Sequence, residues 1–149
     1  MTFASGQRVT AAQLNALIAP GWTTHLPTLT GSGSNPALGN GTRNGIYRRI
    51  SGADVLDWQF TFVFGTTSTY GAGSWMVDLP FTAHASQTDL VVGQGWVLDS
   101  GTIRRPITVH MFSTTQLRLV SDGGDVTPTV PFTFGTSDAL AGTIRYRPA

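Results

Sequence analysis

Three histidines, eight aspartates and nine arginines carry almost all of the ionisable chemistry of this 149-residue chain, which has no cysteine, lysine or glutamate. His25, His84 and His110 are isolated in sequence, so an acid–base pair or a zinc site would need long-range assembly. His84 does lie near Asp89. Asp54 and Asp57 bracket a strand start, and Asp122 and Asp125 flank a Gly-Gly turn, where aspartate is ordinary turn chemistry. Asp122-Gly123-Gly124-Asp125 supplies too few oxygen ligands for a calcium loop. A glycosidase would need two of these carboxylates within roughly 5–10 Å of each other. Phosphate-binding loops, dinucleotide fingerprints, HExxH and nucleophile elbows are missing. The reading is a protein without catalytic residues, cofactor or metal. The lack of cysteine excludes disulfides and leaves the redox compartment undetermined.

Arginine and tryptophan offer recognition chemistry instead. Arg48-Arg49 and Arg104-Arg105 each fall in a strand pattern, so the two members of a pair should face opposite ways. One member of each can then satisfy carboxylates or carbonyls at a sheet or subunit interface. Trp58 and Trp75 sit on apolar strand faces and read as core. Trp96, in a glycine-flanked strand, is the better sugar-stacking candidate. Trp96, Arg104 and Arg105 are therefore the candidate glycan contacts.

The elements that position these residues are mostly strands. A chain of this length buries roughly 70% of its unfolded surface, enough for one domain with a core. Only 11% of residues are charged, against about 25% in typical soluble domains. Helix surfaces are usually solvated by the missing lysine and glutamate, whereas the 22 threonines suit strand faces. A net charge of +1 gives no general attraction to nucleic acid or anionic lipid. Apolar runs fall well short of the ~20 residues that cross a bilayer. Met1 to Ala19 has neither the basic start nor the apolar run of a secretory signal, so synthesis in the cytoplasm without a signal peptide is expected.

From Trp22 onward the apolar pattern has period two. Leu56, Trp58, Phe60, Phe62 and Phe64 form the clearest alternation. Further strands are expected over Ile46 to Ile50, Trp75 to Leu79, Leu90 to Leu98, Ile103 to Phe112, Gln116 to Val120, Pro131 to Phe134 and Gly142 to Arg147. About eight short strands at regular spacing imply an all-β, antiparallel sandwich of jelly-roll type over residues 21–149. Phe62-Val63-Phe64-Gly65-Thr66 echoes Phe132-Thr133-Phe134-Gly135-Thr136, which reads as two equivalent strand ends. Residues 1–20 differ. Thr10-Ala11-Ala12-Gln13 has capping-box spacing and opens a short α-helix that Pro20-Gly21 ends. Leu14, Leu17 and Ile18 share one helical face and, with Val9, form the expected docking surface, because two helical turns are marginal alone.

The wording of that segment, Phe3-Ala4-Ser5-Gly6-Gln7-Arg8-Val9-Thr10-Ala11-Ala12-Gln13-Leu14-Asn15, resembles the opening of bacteriophage fibre and minor tail proteins, which commonly begin G-x-x-L-T-A-A-x-L-N. Gly45-Ile46-Tyr47-Arg48-Arg49-Ile50-Ser51-Gly52, Leu79-Pro80-Phe81-Thr82-Ala83 and Pro131-Phe132-Thr133-Phe134-Gly135-Thr136-Ser137-Asp138 resemble the distal β domains of such proteins, particularly in actinobacterial phages. The resemblance implies a homotrimeric knob on the virion surface. Residues 1–20 would attach it to the major capsid or a tail protein; whether the knob decorates the capsid or binds a host-surface glycan is left open by the sequence. The departure is brevity: with no long shaft, a short spike or head decoration fits better than a full fibre. Trimerisation would also cover strand edges and low-charge faces. A stand-alone carbohydrate-binding module is the competing class, and exposed tryptophan in a saccharide groove would favour it.

Overall fold

A computed structural model describes residues 10–18, 21–50 and 54–149. Helix α1, Ala11–Ile18, starts in the reciprocal capping geometry that its sequence requires. The Thr10 N–H donates to Gln13 Oε1 at 3.0 Å, and the Gln13 N–H donates to Thr10 Oγ1 at 3.2 Å. Two N–H groups at the helix start are thereby satisfied. Leu14 is 49% exposed on this helix. Val9, and the side chains of Leu17 and Ile18, lie outside the described residues.

Ten strands follow among the described residues: β1 Thr23–Thr24, β2 Leu29–Gly31, β3 Thr42–Ile50, β4 Val55–Val63, β5 Trp75–Asp78, β6 Val91–Asp99, β7 Ile103–Met111, β8 Gln116–Ser121, β9 Gly124–Asp125 and β10 Ala139–Tyr146. They form one antiparallel sheet in the order β1-β3-β4-β10-β6-β7-β8-β5-β2, with β9 pairing β8. No helix among the described residues is long and apolar enough to cross a membrane.

The sheet is curled. β1 lies at one edge and β2 at the other, yet only residues 25–28 separate them. His25 N–H still bonds Gly45 O of β3, and Asp78 N–H of β5 already bonds Thr28 O. Three Cα steps span at most about 11 Å, so the two ends of the sheet are drawn together by a single short crossing. Arg43 Nη1 fixes that crossing with a 3.0 Å bond to Pro27 O. Curling puts one face inside. Alternate residues of β4, β5, β7, β8 and β10 meet there, including Leu56, Phe60, Val77, Val109, Leu117 and Ile144, all buried.

Three expected strands differ, β10 beginning at Ala139, three residues before Gly142. β3 begins four residues before Ile46, because main-chain pairing with β4 continues through Thr42-Arg43-Asn44-Gly45 without an apolar alternation to announce it. Pro131 to Phe134 is irregular chain. Its aromatic alternation fills the core from a loop, with Phe132 and Phe134 rings 4.4 Å apart and Phe134 4.6 Å from Trp75. Pro131 has no N–H to offer a sheet ladder.

The two echoed phrases form matching turns. Gly65 N–H donates to Ser68 Oγ at 2.7 Å, and Gly135 N–H donates to Asp138 Oδ2 at 2.6 Å. In each case a glycine follows a phenylalanine, and the side chain three residues on closes the turn. The turns also bind each other: Phe64 N–H donates to Asp138 O, and Ser137 N–H to Phe64 O.

Candidate functional site

The three histidines stay apart. His25 packs edge-on to Trp58 at 5.6 Å, and burial lowers its pKa. His84 Nδ1 accepts from Ser86 N–H at the start of a 3-10 turn. His110 Nε2 lies 3.1 Å from Thr108 Oγ1 on the outer face of β7. Among the described residues no three histidine or carboxylate side chains gather as a metal-binding group. Most carboxylates have local structural partners: Asp54 with Arg147 at 2.7 Å, Asp78 with Gln116 at 2.9 Å, Asp125 with Ser74 at 2.9 Å, and Asp138 with Ser100 N–H at 2.8 Å.

The candidate glycan contacts are partly assembled. The β6–β7 hairpin places Trp96 and Arg104 on the outer face, with the Arg104 guanidinium 4.2 Å from the indole centroid. That cation covers the indole face it stacks on. Arg105 points the other way and pairs with Asp122 at 3.2 Å. The triplet is therefore a stacked pair plus a separate ion pair.

A second constellation forms where sequence reading saw none. Strand register sets Arg48 of β3, Asp57 of β4 and Arg145 of β10 side by side across the outer face. Arg145 Nε donates to Asp57 Oδ1 at 2.7 Å. Arg48 donates to Oδ2 through Nε at 3.2 Å and Nη2 at 3.1 Å, and Trp22 lies 4.7 Å over the Arg48 guanidinium. Asp57 is only 7% exposed between them. The sequence signal was the lone carboxylate in the polar alternation of β4. Its partners, 9 and 88 residues away, depend on a register that no local pattern states.

Beside Arg145 the outer face carries a hollow of about 500 Å³, lined by Asp57, Val91, Gln94, Thr108, Thr143 and Arg145 among others. Its origin is a register slip in β6 between Val91 and Gly93. Outward side chains normally recur every second residue, but Val91 and Gln94, which oppose His110 and Thr108, are three apart. The bulge spreads the outer side chains and leaves the hollow.

The hydrogen bond from Arg145 holds the Asp57 carboxyl below its ordinary pKa of 3.8; burial opposes this and Arg48 adds to it. A depressed folded pKa stabilises the fold above the unfolded value, and that contribution is lost as pH falls through the folded one. Asp57→Asn should therefore melt lower than wild type at neutral pH, with the gap narrowing as pH falls below the ordinary carboxylate value of 3.8. Thermal melts across that range test it, and a gap independent of pH would show that the carboxylate charge is not what the arginines hold.

Compared with protein-family models, curated proteins and solved structures, the chain matches none.

Proposed function

We propose that this chain is a non-catalytic structural protein of a bacteriophage virion, a short homotrimeric spike or decoration. Residues 1–20 attach it to the capsid or to a tail protein, and the β domain stands out as a knob that touches host-surface glycan. The observation that carries this reading is the division of the chain. A short, self-capped helix offers Leu14 to solvent, ahead of a β domain that fills its own core. The two halves of the curled sheet, packed across one aromatic core, fit a sandwich of jelly-roll kind.

Trimerisation is supported by what the single chain leaves uncovered. Among the described residues β1 pairs only with Ile46 and Tyr47 of the nine-residue β3. Trp22 and Leu26 at that edge are 43% and 51% exposed. A partly covered edge beside large apolar side chains is what self-association hides.

Two measurements test the proposal. Light scattering should give three times the 15.8 kDa chain mass, and a monomer at micromolar concentration would refute the assembly. Deleting residues 1–19, or replacing Leu14 and Leu17 with Asp, should leave the β domain folded and abolish incorporation into particles. Unchanged incorporation would refute the tether.

The hollow beside Arg145 favours a second reading, a stand-alone carbohydrate-binding module. Saccharide binding by a monomer that no particle incorporates would select it.

A further inference from the structure

We infer that the hollow between Arg145 and the β6 bulge is a binding site for a uronic-acid-containing saccharide, with Arg145 taking the carboxylate. The inference deepens the adhesive part of the proposal above and rests on it for biological meaning, but its chemistry stands on this face alone.

Charge comes first. Arg48 and Arg145 share one carboxylate, Asp57, so the row carries one uncompensated positive charge. Arg145 uses Nε for Asp57, and its side chain is 65% exposed. Its two terminal nitrogens have no hydrogen-bond partner among the described residues, so the outer edge of a planar donor fork remains for an anion. Asp57, engaged on both oxygens, is already satisfied and repels an incoming carboxylate less than a free aspartate would.

The neutral lining then selects a saccharide over a bare anion. Thr143, Gln94 and Thr108 are direct cross-strand neighbours on β10, β6 and β7. They make a row of hydroxyl, amide and hydroxyl groups spaced at roughly 4.8 Å, one residue pair along from the charged row. Thr143 and Gln94 can each donate and accept, as vicinal sugar hydroxyls require, while the Thr108 hydroxyl already faces His110 Nε2 at 3.1 Å. Val91, 60% exposed, forms an apolar wall against which the C–H face of a sugar ring can lie. The volume of about 500 Å³ falls within the roughly 300–1,000 Å³ typical of small-molecule sites. A carboxylate placed at Arg145 puts the ring over Thr143 and Gln94. The Trp96–Arg104 stack lies farther along the same face, on the β6–β7 hairpin, so a longer chain can extend toward it.

The test uses the full-length protein and a galacturonic acid tetrasaccharide, with a neutral galactose tetrasaccharide and inorganic sulfate as comparisons. Titration followed by backbone-amide NMR should show saturable shifts centred on Gln94, Thr108 and Thr143. The neutral sugar should bind at least about tenfold more weakly, the scale of one lost charge-assisted contact. Arg145→Gln should reduce affinity by a similar factor. Because Arg145 also holds Asp57, Thr143→Val is the second variant; it leaves the arginine row intact and should still weaken binding several-fold. Sulfate binding as tightly as the tetrasaccharide, shifts centred on Trp96 and Arg104 instead, equal affinity in both variants, or no binding would each overturn the assignment. None of those results would alter the trimer mass or the need for residues 1–19 in particle incorporation, which test the proposed role separately.

Discussion

Gly142→Val is expected to cost about 3 kcal/mol of stability and to lower the melting temperature by about 6–12 °C. Strand propensity argues for the opposite sign, since valine is favoured and glycine disfavoured in strands over a span of about 1 kcal/mol. Collision decides the matter. A Cβ on Gly142 would lie 2.5 Å from Cζ and 2.8 Å from Cε1 of Phe60. That ring cannot step aside, because Phe60 is 2% exposed and held between Trp58 at 5.1 Å and Phe62 at 6.1 Å. Phe60 pairs with Gly142 on one side and Gly45 on the other, so its ring is flanked by strands without side chains at that level. Adding Phe60→Leu to Gly142→Val should recover part of the loss, and the pair should cost less than the sum of the single changes. Urea and thermal melts of the three variants check this. A Gly142→Val melting temperature within about 2 °C of wild type would mean the ring has room.

The same glycines explain what was legible. β4 could be read because Leu56, Trp58, Phe60, Phe62 and Phe64 alternate without interruption, and all are buried. The first half of β3 could not, because its inward positions are Arg43, opposite Phe62, and Gly45, whose space is filled by His25 O, Pro27 and the Trp58 indole. An apolar pattern cannot show a core position occupied by nothing. Phe132 and Phe134 err in the other direction: they alternate like a strand, yet reach the core from a loop. Trp96 and Arg104 could be placed near each other because both lie in one hairpin. The row from Arg48 through Asp57 to Arg145 could not, since β10 is inserted between β4 and β6 from the far end of the chain. The hollow beside it rests on a one-residue slip in β6 that composition does not encode. Local periodicity thus located the core, while the outer face was set by register.

Trp75→Ala should be the other severe change, with a loss of about 3–5 kcal/mol. Four tryptophans look alike in the sequence, but their surroundings differ. Trp75 is fully buried, with Phe134 at 4.6 Å and Phe64 at 5.3 Å. Its Nε1–H donates to Tyr70 O at 3.0 Å, and its backbone N–H donates to Val126 O at 2.8 Å. One residue therefore ties the 64–74 loop and the 126–138 segment to β5. Truncation removes the largest side chain of that cluster and strands the Tyr70 carbonyl. Trp75→Phe isolates the second effect: it keeps a ring in place and should cost about 1–3 kcal/mol, chiefly for the unpaired carbonyl. Trp96→Ala, on the outer face and only partly buried, should cost less than either. Equilibrium unfolding of the three variants orders them. If Trp96→Ala were as costly as Trp75→Ala, the Trp96–Arg104 stack would be part of the fold's stability, and a purely recognitional role for that pair would have to be given up.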